Sequence, residues 1–299
     1  MTTEKRLAQL SRDVRKHVLT MVHKSGASHV GTSLSCAEIL VAVYEVARVD
    51  PKRPLDPGRD RVILSKGHGV ATWYAVLAEH GFFAKGLLDG YYGDGSPLTG
   101  HPDIQSVPGI EATSGSLGHG LPVGLGMALA GKIDKREYRV FVIMGDGECD
   151  EGSVWEAALA AAQFKLGNIT VIIDRNDQQG LGRTSDIINL EPLDKKWAAF
   201  GWRVKSVDGH DHAALIAALK EHDRDIPTVI IAKTVKGKGV SYMEHQTLWH
   251  YRDPNAEQYA QAIKEIDESA EGEAEDEESA TKESAADGNA YLRKHGGRP

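Results

Sequence analysis

Residues 139–176 read RVFVIMGDGECDEGSVWEAALAAAQFKLGNITVIIDRN. An apolar run ends at GDG, an alanine-rich segment of helical composition follows, and a second apolar run, NITVIID, comes near the end of the stretch. Short apolar runs bounded by turn residues are typical of buried strands, so we expect a strand, a helix and a second strand. Such a unit forms a right-handed parallel crossover, from which α/β folds are built.

The segments on either side of this unit extend the same pattern. Further strands are predicted over 61–64, 202–209 and 227–235, and further helices over 70–80, 121–132 and 212–222. Near the amino terminus, apolar residues at helical spacing predict an amphipathic helix that docks on the core. These residues are Leu7, Leu10, Val14, Val18 and Met21. Together the elements imply an α/β fold with a doubly wound, mainly parallel sheet flanked by helices.

Two polar residues follow the two strands of the central unit. Asp146 ends the first strand and Asn176 follows the second. Both are therefore expected at the carboxyl edge of the sheet, where open α/β proteins bind their ligands. A carboxylate and an amide oxygen can hold Mg²⁺ and leave positions for diphosphate oxygens. Gly145 and Gly147 would let the backbone approach the phosphates.

Composition excludes several classes of protein. The chain has 299 residues, of which 41% are hydrophobic, and a formal net charge of −8. Because no lysine or arginine cluster is present, nucleic acid is not an expected partner. Cys36 and Cys149 form neither a disulfide framework nor a zinc motif, which favours a reducing cytoplasm. No apolar run approaches the roughly 20 residues of a membrane span, so no membrane association is expected.

The stretch from GDG to Asn176 resembles the thiamine diphosphate motif, with its acidic helix start and its KLGN before the second strand. Four groups of segments elsewhere resemble transketolases and occur in that family's order. They are KSGASHVGTSLS (24–35), VILSKGHGVATWYAVL (62–77), LTGHPD (98–103) with EATSGSLGHGLPVGLGMALA (111–130), and KTVKGKG (233–239) with WHYRDPN (249–255). The chain is thus similar to the transketolase family, whose fold is the thiamine-diphosphate-binding fold.

The resemblance implies a role for individual cofactor-binding residues. The metal ligands would be the side chains of Asp146 and Asn176 and the backbone carbonyl of Gln178. The residues implied to bind thiamine diphosphate are His68, Gly115, Leu117, Gly145, Asp146, Gly147 and Asn176. The metal is expected to be Mg²⁺, with Ca²⁺ or Mn²⁺ as substitutes.

Four histidines match the active-site histidines of the family, namely His29, His68, His101 and His250. Imidazole suits proton transfer between sugar hydroxyls and developing oxyanions, because its unperturbed pKa lies near neutrality. His250 is followed by Tyr251 and Arg252, where the family usually has glycine. Glu151 resembles the acid that links two active sites through a dimer interface, and an acidic residue at a helix start is the alternative interpretation.

The implied activity is thiamine-diphosphate- and Mg²⁺-dependent transfer of a two-carbon ketol unit between sugar phosphates. Full-length transketolases continue with a pyrimidine-binding domain, which supplies the glutamate that activates the cofactor. We therefore expect this chain to be the diphosphate-binding subunit of a split transketolase. It would be active only with a C-terminal, pyrimidine-domain subunit, in an α₂β₂ heterotetramer.

Two alternatives to this function remain open at the sequence level. The chain could instead serve an E1-like enzyme that passes a two-carbon unit to a lipoyl or carrier protein. It could also be a non-catalytic cofactor-binding scaffold. A deoxyxylulose-phosphate synthase is disfavoured, because SGSLGHG and LTGHPD resemble its motifs poorly.

A change in composition suggests where the domain ends. Residues 264–299 are rich in Glu, Asp, Ser and Ala, and such a segment cannot bury enough apolar surface to fold. We therefore expect a thiamine diphosphate binding domain over 1–263 and an acidic, disordered tail over 264–299.

Overall fold

The computed structural model describes residues 2–269 and is built on a five-stranded sheet. The strands are β1 (Arg61–Leu64), β2 (Val140–Gly145), β3 (Ile169–Arg175), β4 (Arg203–Asp208) and β5 (Thr228–Lys233). Their order across the sheet is β1-β2-β3-β5-β4, and every pairing is parallel. The predicted fold class is therefore confirmed, and each predicted strand is present within a residue or two of its expected position.

Helices separate the strands along the chain. The α-helices are α1 (Thr3–Ser25), α2 (Val30–Ser35), α3 (Ala37–Val46), α4 (Val70–Glu79), α5 (Gly120–Ile133), α6 (Gly152–Gln163), α7 (Thr184–Ile187), α8 (Leu193–Ala199), α9 (His212–Lys220) and α10 (residues 256–269). Short 3₁₀ helices cover Gly67–Gly69, Lys85–Gly90, Gly147–Asp150 and Thr247–His250. Two of these 3₁₀ helices begin within three residues of the ends of β1 and β2.

Successive residues of the strands point to opposite faces of the sheet and enter two separate hydrophobic clusters. In β2, Phe141 and Ile143 pack into one cluster, while Val142 and Met144 pack into the other. The first cluster also receives apolar residues of α1, α3, α4 and α9, and the second those of α5, α6 and α8. Because both faces are covered, the strands are continuous apolar runs, as expected for a parallel sheet.

Helix α1 forms part of the first cluster. Four of its predicted apolar residues are almost fully buried, Leu10 is partly buried, and the helix packs against α3 and α4. The Thr2 side chain accepts a hydrogen bond from the Lys5 N–H at the amino end. Gly26, at φ 66°, ends the helix in the left-handed conformation that glycine favours. The predicted amphipathic docking helix is therefore confirmed.

Ordered structure runs past the boundary that was predicted from composition. Helix α10 continues through residues 264–269, and Ile266 is buried in the first cluster. Lys16 on α1 contacts Asp267 with 2.9 Å between Nζ and Oδ1. The rest of the predicted tail, residues 270–299, lies outside the described residues, and its disorder stays a prediction.

Within residues 2–269, none of the helices combines the length and the apolar character that crossing a membrane requires.

Close packing of α5 on the sheet gives a matched pair of variants. A Cβ added at Gly124 would lie 2.6 Å from Cγ2 of Val142, whereas one at Gly126 would meet no atom within 4 Å. Gly126→Ala should raise the free energy of unfolding by roughly 0.5–1 kcal/mol through helix propensity. The free energy of unfolding of Gly124→Ala should be about 1–3 kcal/mol lower than that of Gly126→Ala, because the added methyl group overpacks the contact with β2.

Urea unfolding of both variants measures this difference. Equal stabilisation by the two substitutions would contradict the close packing of α5 against β2.

Candidate active site

The loops that follow β1, β2, β3 and β5 surround a cavity of about 280 Å³ at the carboxyl edge of the sheet. Its lining consists of His29, Thr32, His68, His101, Gly115, Leu117, Gly145, Asp146, Gly147, Glu148, Asn176, Gln178, Gln179, Gly180, Lys236 and His250. Every residue predicted for the site from the sequence is in this set except Glu151. Residues far apart in the chain therefore converge where the parallel sheet was expected to bind a ligand.

Asp146 lies directly after β2 and is almost fully buried. Its Oδ1 accepts a hydrogen bond from the Gly147 N–H at 2.9 Å, and its Oδ2 accepts one from the Asp177 N–H at 2.7 Å. Burial, together with the negative charge of Asp174, raises the pKa of this carboxyl to about 6. The two backbone N–H groups therefore offset only part of the cost of burying this carboxylate.

Asn176 and Gln178 lie in the turn after β3. The Asn176 Oδ1 accepts a hydrogen bond from the Gln178 N–H at 3.1 Å, which bends the chain around the amide oxygen. The Gln178 side chain donates to the His245 carbonyl at 2.6 Å. Asp177 between them has φ 59°, a left-handed conformation that Asp tolerates better than most residues. This turn brings Asn176 to the same cavity that Asp146 lines.

The donor set fits a divalent cation. Among residues 2–269, no Lys, Arg or His forms a close ion pair with Asp146, and no group of three His, Cys, Asp or Glu side chains could hold a metal alone. A buried carboxylate without a paired cation is electrostatically costly, and a bound cation would offset that cost. The oxygen donors present, a carboxylate and an amide, suit Mg²⁺ when a ligand supplies the remaining oxygens. Gly147 has no room for a side chain, since an added Cβ would lie 2.6 Å from Cγ of Gln179, and its bare backbone suits a closely bound ligand.

The four predicted histidines form one cluster above this edge. Ring centroids are 4.9 Å apart for His29 and His250, 5.4 Å for His29 and His68, and 6.0 Å for His29 and His101. His68 and His250 are 5.7 Å apart. His29 therefore stands at the centre, in edge contact with each of the others.

The backbone of His29 takes an unusual conformation to reach that place. Its φ is 71°, and its N–H donates to the His250 carbonyl at 3.0 Å. Its own carbonyl accepts from the N–H and the hydroxyl of Ser33, at 3.2 and 3.0 Å. Strained backbone held by surrounding contacts is frequent where a side chain must be aimed at a ligand.

All four imidazoles have a lowered pKa. Burial lowers the pKa of His29 to about 4 and that of His250 to about 3, with further lowering by the charge of Lys236. Burial also lowers the pKa of His101, and burial with the nearby Lys66 places that of His68 well below its ordinary value. An unperturbed imidazole has a pKa near neutrality and would be partly protonated at pH 7. The rings are instead neutral at pH 7 and offer one accepting and one donating nitrogen each.

Lys236 is a site residue that was not singled out from the sequence. Its side chain is buried, with Nζ 3.2 Å from the Gln179 carbonyl and 3.3 Å from Nδ1 of His250. Burial and the positive charge of Lys66 lower its pKa to about 8. KTVKGKG carries only a family resemblance, and nothing in its spacing indicates that this lysine alone faces the cavity.

Glu148 is the second site residue that the sequence did not indicate. Its carboxylate accepts hydrogen bonds from the Gly118 N–H at 2.9 Å, the Gly145 N–H at 3.1 Å and the Ser65 hydroxyl. Burial raises its pKa in spite of these donors. The Gly118 N–H, two residues before α5, is therefore hydrogen-bonded to a carboxylate of the chain itself.

Glu151, in contrast, lies outside the cavity. It is exposed and occupies the position before α6, where its side chain makes no capping hydrogen bond. The structure therefore does not bring Glu151 together with the other predicted site residues. Its role at an interface between subunits stays a prediction.

The chain matches the family described as transketolase, thiamine diphosphate binding domain, over residues 6–268. Over 257 residues it is 45% identical to one subunit of the apulose-4-phosphate transketolase from Phocaeicola vulgatus, a match that covers 85% of this chain and 91% of that protein. It is 41% identical over 257 residues to the 6-deoxy-6-sulfo-D-fructose transketolase subunit SqwG from a Clostridium species, covering 85% and 94% of the two chains.

Among solved structures, transketolase from Campylobacter jejuni superposes with a TM-score of 0.83 at 28% identity. The alignment covers 89% of this chain but only 43% of that enzyme, so the chain spans less than half of the solved transketolase. The family match confirms the resemblance predicted from the sequence, and with it thiamine diphosphate as the cofactor. The chain belongs to the transketolase family, and residues 6–268 are its thiamine diphosphate binding domain.

Proposed function

We propose that this chain is the diphosphate-binding subunit of a two-chain transketolase that transfers a two-carbon ketol unit between sugar phosphates. The observation that carries the proposal is the convergence of four neutral imidazoles above the Asp146 and Asn176 edge in one cavity. The edge with Asp146 and Asn176 suits a metal-bound diphosphate, and the imidazoles suit proton transfer to sugar oxygens.

Asp146, Asn176 and the Gln178 carbonyl would hold Mg²⁺, or Ca²⁺ or Mn²⁺ in its place. Bound thiamine diphosphate would supply the carbanion chemistry of carbon–carbon cleavage. Lys236, buried beside the cavity, supports the proposal because its cationic form would attract a diphosphate. Gly115 and Leu117 line the same cavity and would contact the cofactor through backbone and apolar side chain.

The histidines would act on the sugar. Because their pKa values are lowered, the imidazoles are present as neutral bases at pH 7 and can accept protons from substrate hydroxyls. His29, at the centre of the cluster, lies in ring contact with each of the other three. Burial alone lowers the pKa of His101, so its charge state depends less on neighbouring cations than that of the other rings.

A partner chain would complete the active site. Relatives that match over nearly their whole length are named as subunits of transketolases for apulose-4-phosphate and 6-deoxy-6-sulfo-D-fructose. We therefore propose a C-terminal subunit with a pyrimidine-binding domain, an α₂β₂ assembly and sugar phosphate substrates. The interface role of Glu151 belongs to the same proposal, and its exposure leaves it available to a partner.

We also propose a location and a domain division. Two buried cysteines that form no disulfide suit the reducing cytoplasm. The cofactor domain would extend through residue 269, the last residue that the structure describes, and the acidic segment after it would form the tail.

Dependence on the partner is the first test. The chain alone should show no ketol transfer, because the proposed partner would supply the group that activates the cofactor. Adding the pyrimidine-domain chain, thiamine diphosphate and Mg²⁺ should restore transfer from a ketose phosphate to an aldose phosphate, measured by product analysis. Full activity without the partner would contradict the proposal.

The same assay separates the alternatives that the sequence left open. Transfer to an aldose phosphate without any carrier protein supports the transketolase assignment. Absolute dependence on a lipoyl protein would favour the E1-like function, and cofactor binding without turnover in the complete complex would favour the scaffold.

Removal of one histidine should separate proton transfer from cofactor binding. We expect His101→Ala to lower kcat by about 10²–10⁴-fold, the usual contribution of a general acid or base. The Kd for thiamine diphosphate should stay unchanged, because His101 is not among the residues proposed to hold it. His222→Ala is the matched control, since His222 is exposed and its one hydrogen bond within residues 2–269 is with the Lys220 carbonyl. A large loss of cofactor affinity in His101→Ala would show that its role is misassigned.

A further inference from the structure

Beneath the cavity lies a fully buried carboxylate, Asp174 in β3. It accepts hydrogen bonds from the Ser35 hydroxyl at 2.6 Å, from the ammonium group of Lys66 and from the Thr234 hydroxyl. The side-chain amide of Asn176 lies 3.4 Å away and also donates to it. Lys66 is as deeply buried as its partner, so the pair is closed off from solvent.

Each of these partners is close in sequence to a residue that lines the cavity. Lys66 lies two residues before His68, Thr234 two residues before Lys236, and Ser35 three residues after Thr32. Asn176 itself lines the cavity. The loops after β1, β3 and β5 and the helix α2 therefore meet at one carboxylate, which does not line the cavity itself.

We propose that Asp174, neutralised by Lys66, is a positioning residue that sets the geometry of the metal-diphosphate site. The inference rests on the proposed function, because it concerns the arrangement of the groups that would hold the cofactor. Asp174 would act through Asn176 and through the segments that carry His68 and Lys236, without touching the cofactor.

The chemistry of the Asn176 contact gives the strongest reason. An ionised carboxylate only accepts hydrogen bonds, so the NH₂ group of Asn176 must face Asp174. The amide oxygen then faces the other way, toward the Gln178 N–H, and Asn176 lines the cavity where a metal ligand is needed. Groups that orient metal ligands in this way commonly change metal affinity by about 10–100-fold when they are removed.

The ion pair with Lys66 explains why a charge is tolerated there. Burial alone would raise the pKa of Asp174, but contact with Lys66 outweighs it and the pKa ends below its ordinary value. Lys66 also donates to the Thr32 carbonyl at 3.1 Å, which ties α2 to the same point. Removing one partner alone would leave an unpaired buried charge and strongly destabilise the fold, so a test must remove both or neither.

Two variants test the proposal in the complete complex. Asp174→Leu combined with Lys66→Met replaces the pair by apolar side chains of similar size, which buried ion pairs often tolerate. Thr234→Val removes one hydrogen bond and leaves both charges in place. We expect the Kd for Mn²⁺ and thiamine diphosphate, measured by calorimetry, to rise about 10–100-fold in the double variant and by a smaller factor in Thr234→Val.

Thr228→Val is the matched control. Thr228 is buried at the other end of β5, and its hydroxyl has no hydrogen-bond partner among residues 2–269. Its replacement should leave the Kd unchanged. If Asp174 had only a structural role, the variants would lower Tm without weakening cofactor binding.

The outcomes are distinguishable. Wild-type affinity in a folded double variant and in Thr234→Val would overturn the positioning role, and if the double variant does not fold, Thr234→Val decides alone. Absence of metal-dependent cofactor binding by the wild-type complex would overturn the proposed function itself.

Discussion

The parallel pairing of β2 with β3 is the constraint on which the site depends. Its register sets Gly145 opposite Asp174, so the chain leaves both strands at the same level of the sheet. Asp146 and Asn176 then enter neighbouring loops, and Asp174 lies directly below them. Because adjacent strands are roughly 5 Å apart, oxygen donors in these two loops can come within reach of one cation.

The site that results is electrostatically unfavourable without a ligand. A carboxylate with a raised pKa, a lysine with a lowered pKa and four imidazoles with lowered pKa values share one cavity. Each shift reflects a charged form that burial disfavours. A divalent cation beside Asp146 and a diphosphate near Lys236 would compensate both charges at once. Relief of this unfavourable electrostatic energy would therefore contribute to binding of the cofactor.

Much of the fold could be predicted from local patterns, because apolar runs between glycine-rich turns indicate strands and apolar residues at helical spacing indicate helices. The edge position of Asp146 and Asn176 followed from the same pattern. Glu148 and Lys236 could not be found this way, because their burial depends on loops that are distant in the sequence. Asp174 could not be singled out either, because its hydrogen-bond partners come from four segments that only the fold brings together. The continuation of α10 through residues 264–269 was missed because the charged composition of this stretch conceals the burial of Ile266.

The central claim is that the edge formed by Asp146 and Asn176 holds thiamine diphosphate through a divalent cation. Calorimetric titration of the cofactor into the assembled complex, with Mg²⁺ and after its removal by EDTA, tests this most directly. The account predicts that the affinity for thiamine diphosphate is at least about tenfold weaker without metal and in Asp146→Ala. In both cases the charged link between the protein and the diphosphate is lost. Asp186→Ala, which removes an exposed carboxylate that does not line the cavity, should bind the cofactor normally. Equal affinity with and without metal, or in Asp146→Ala, would contradict it.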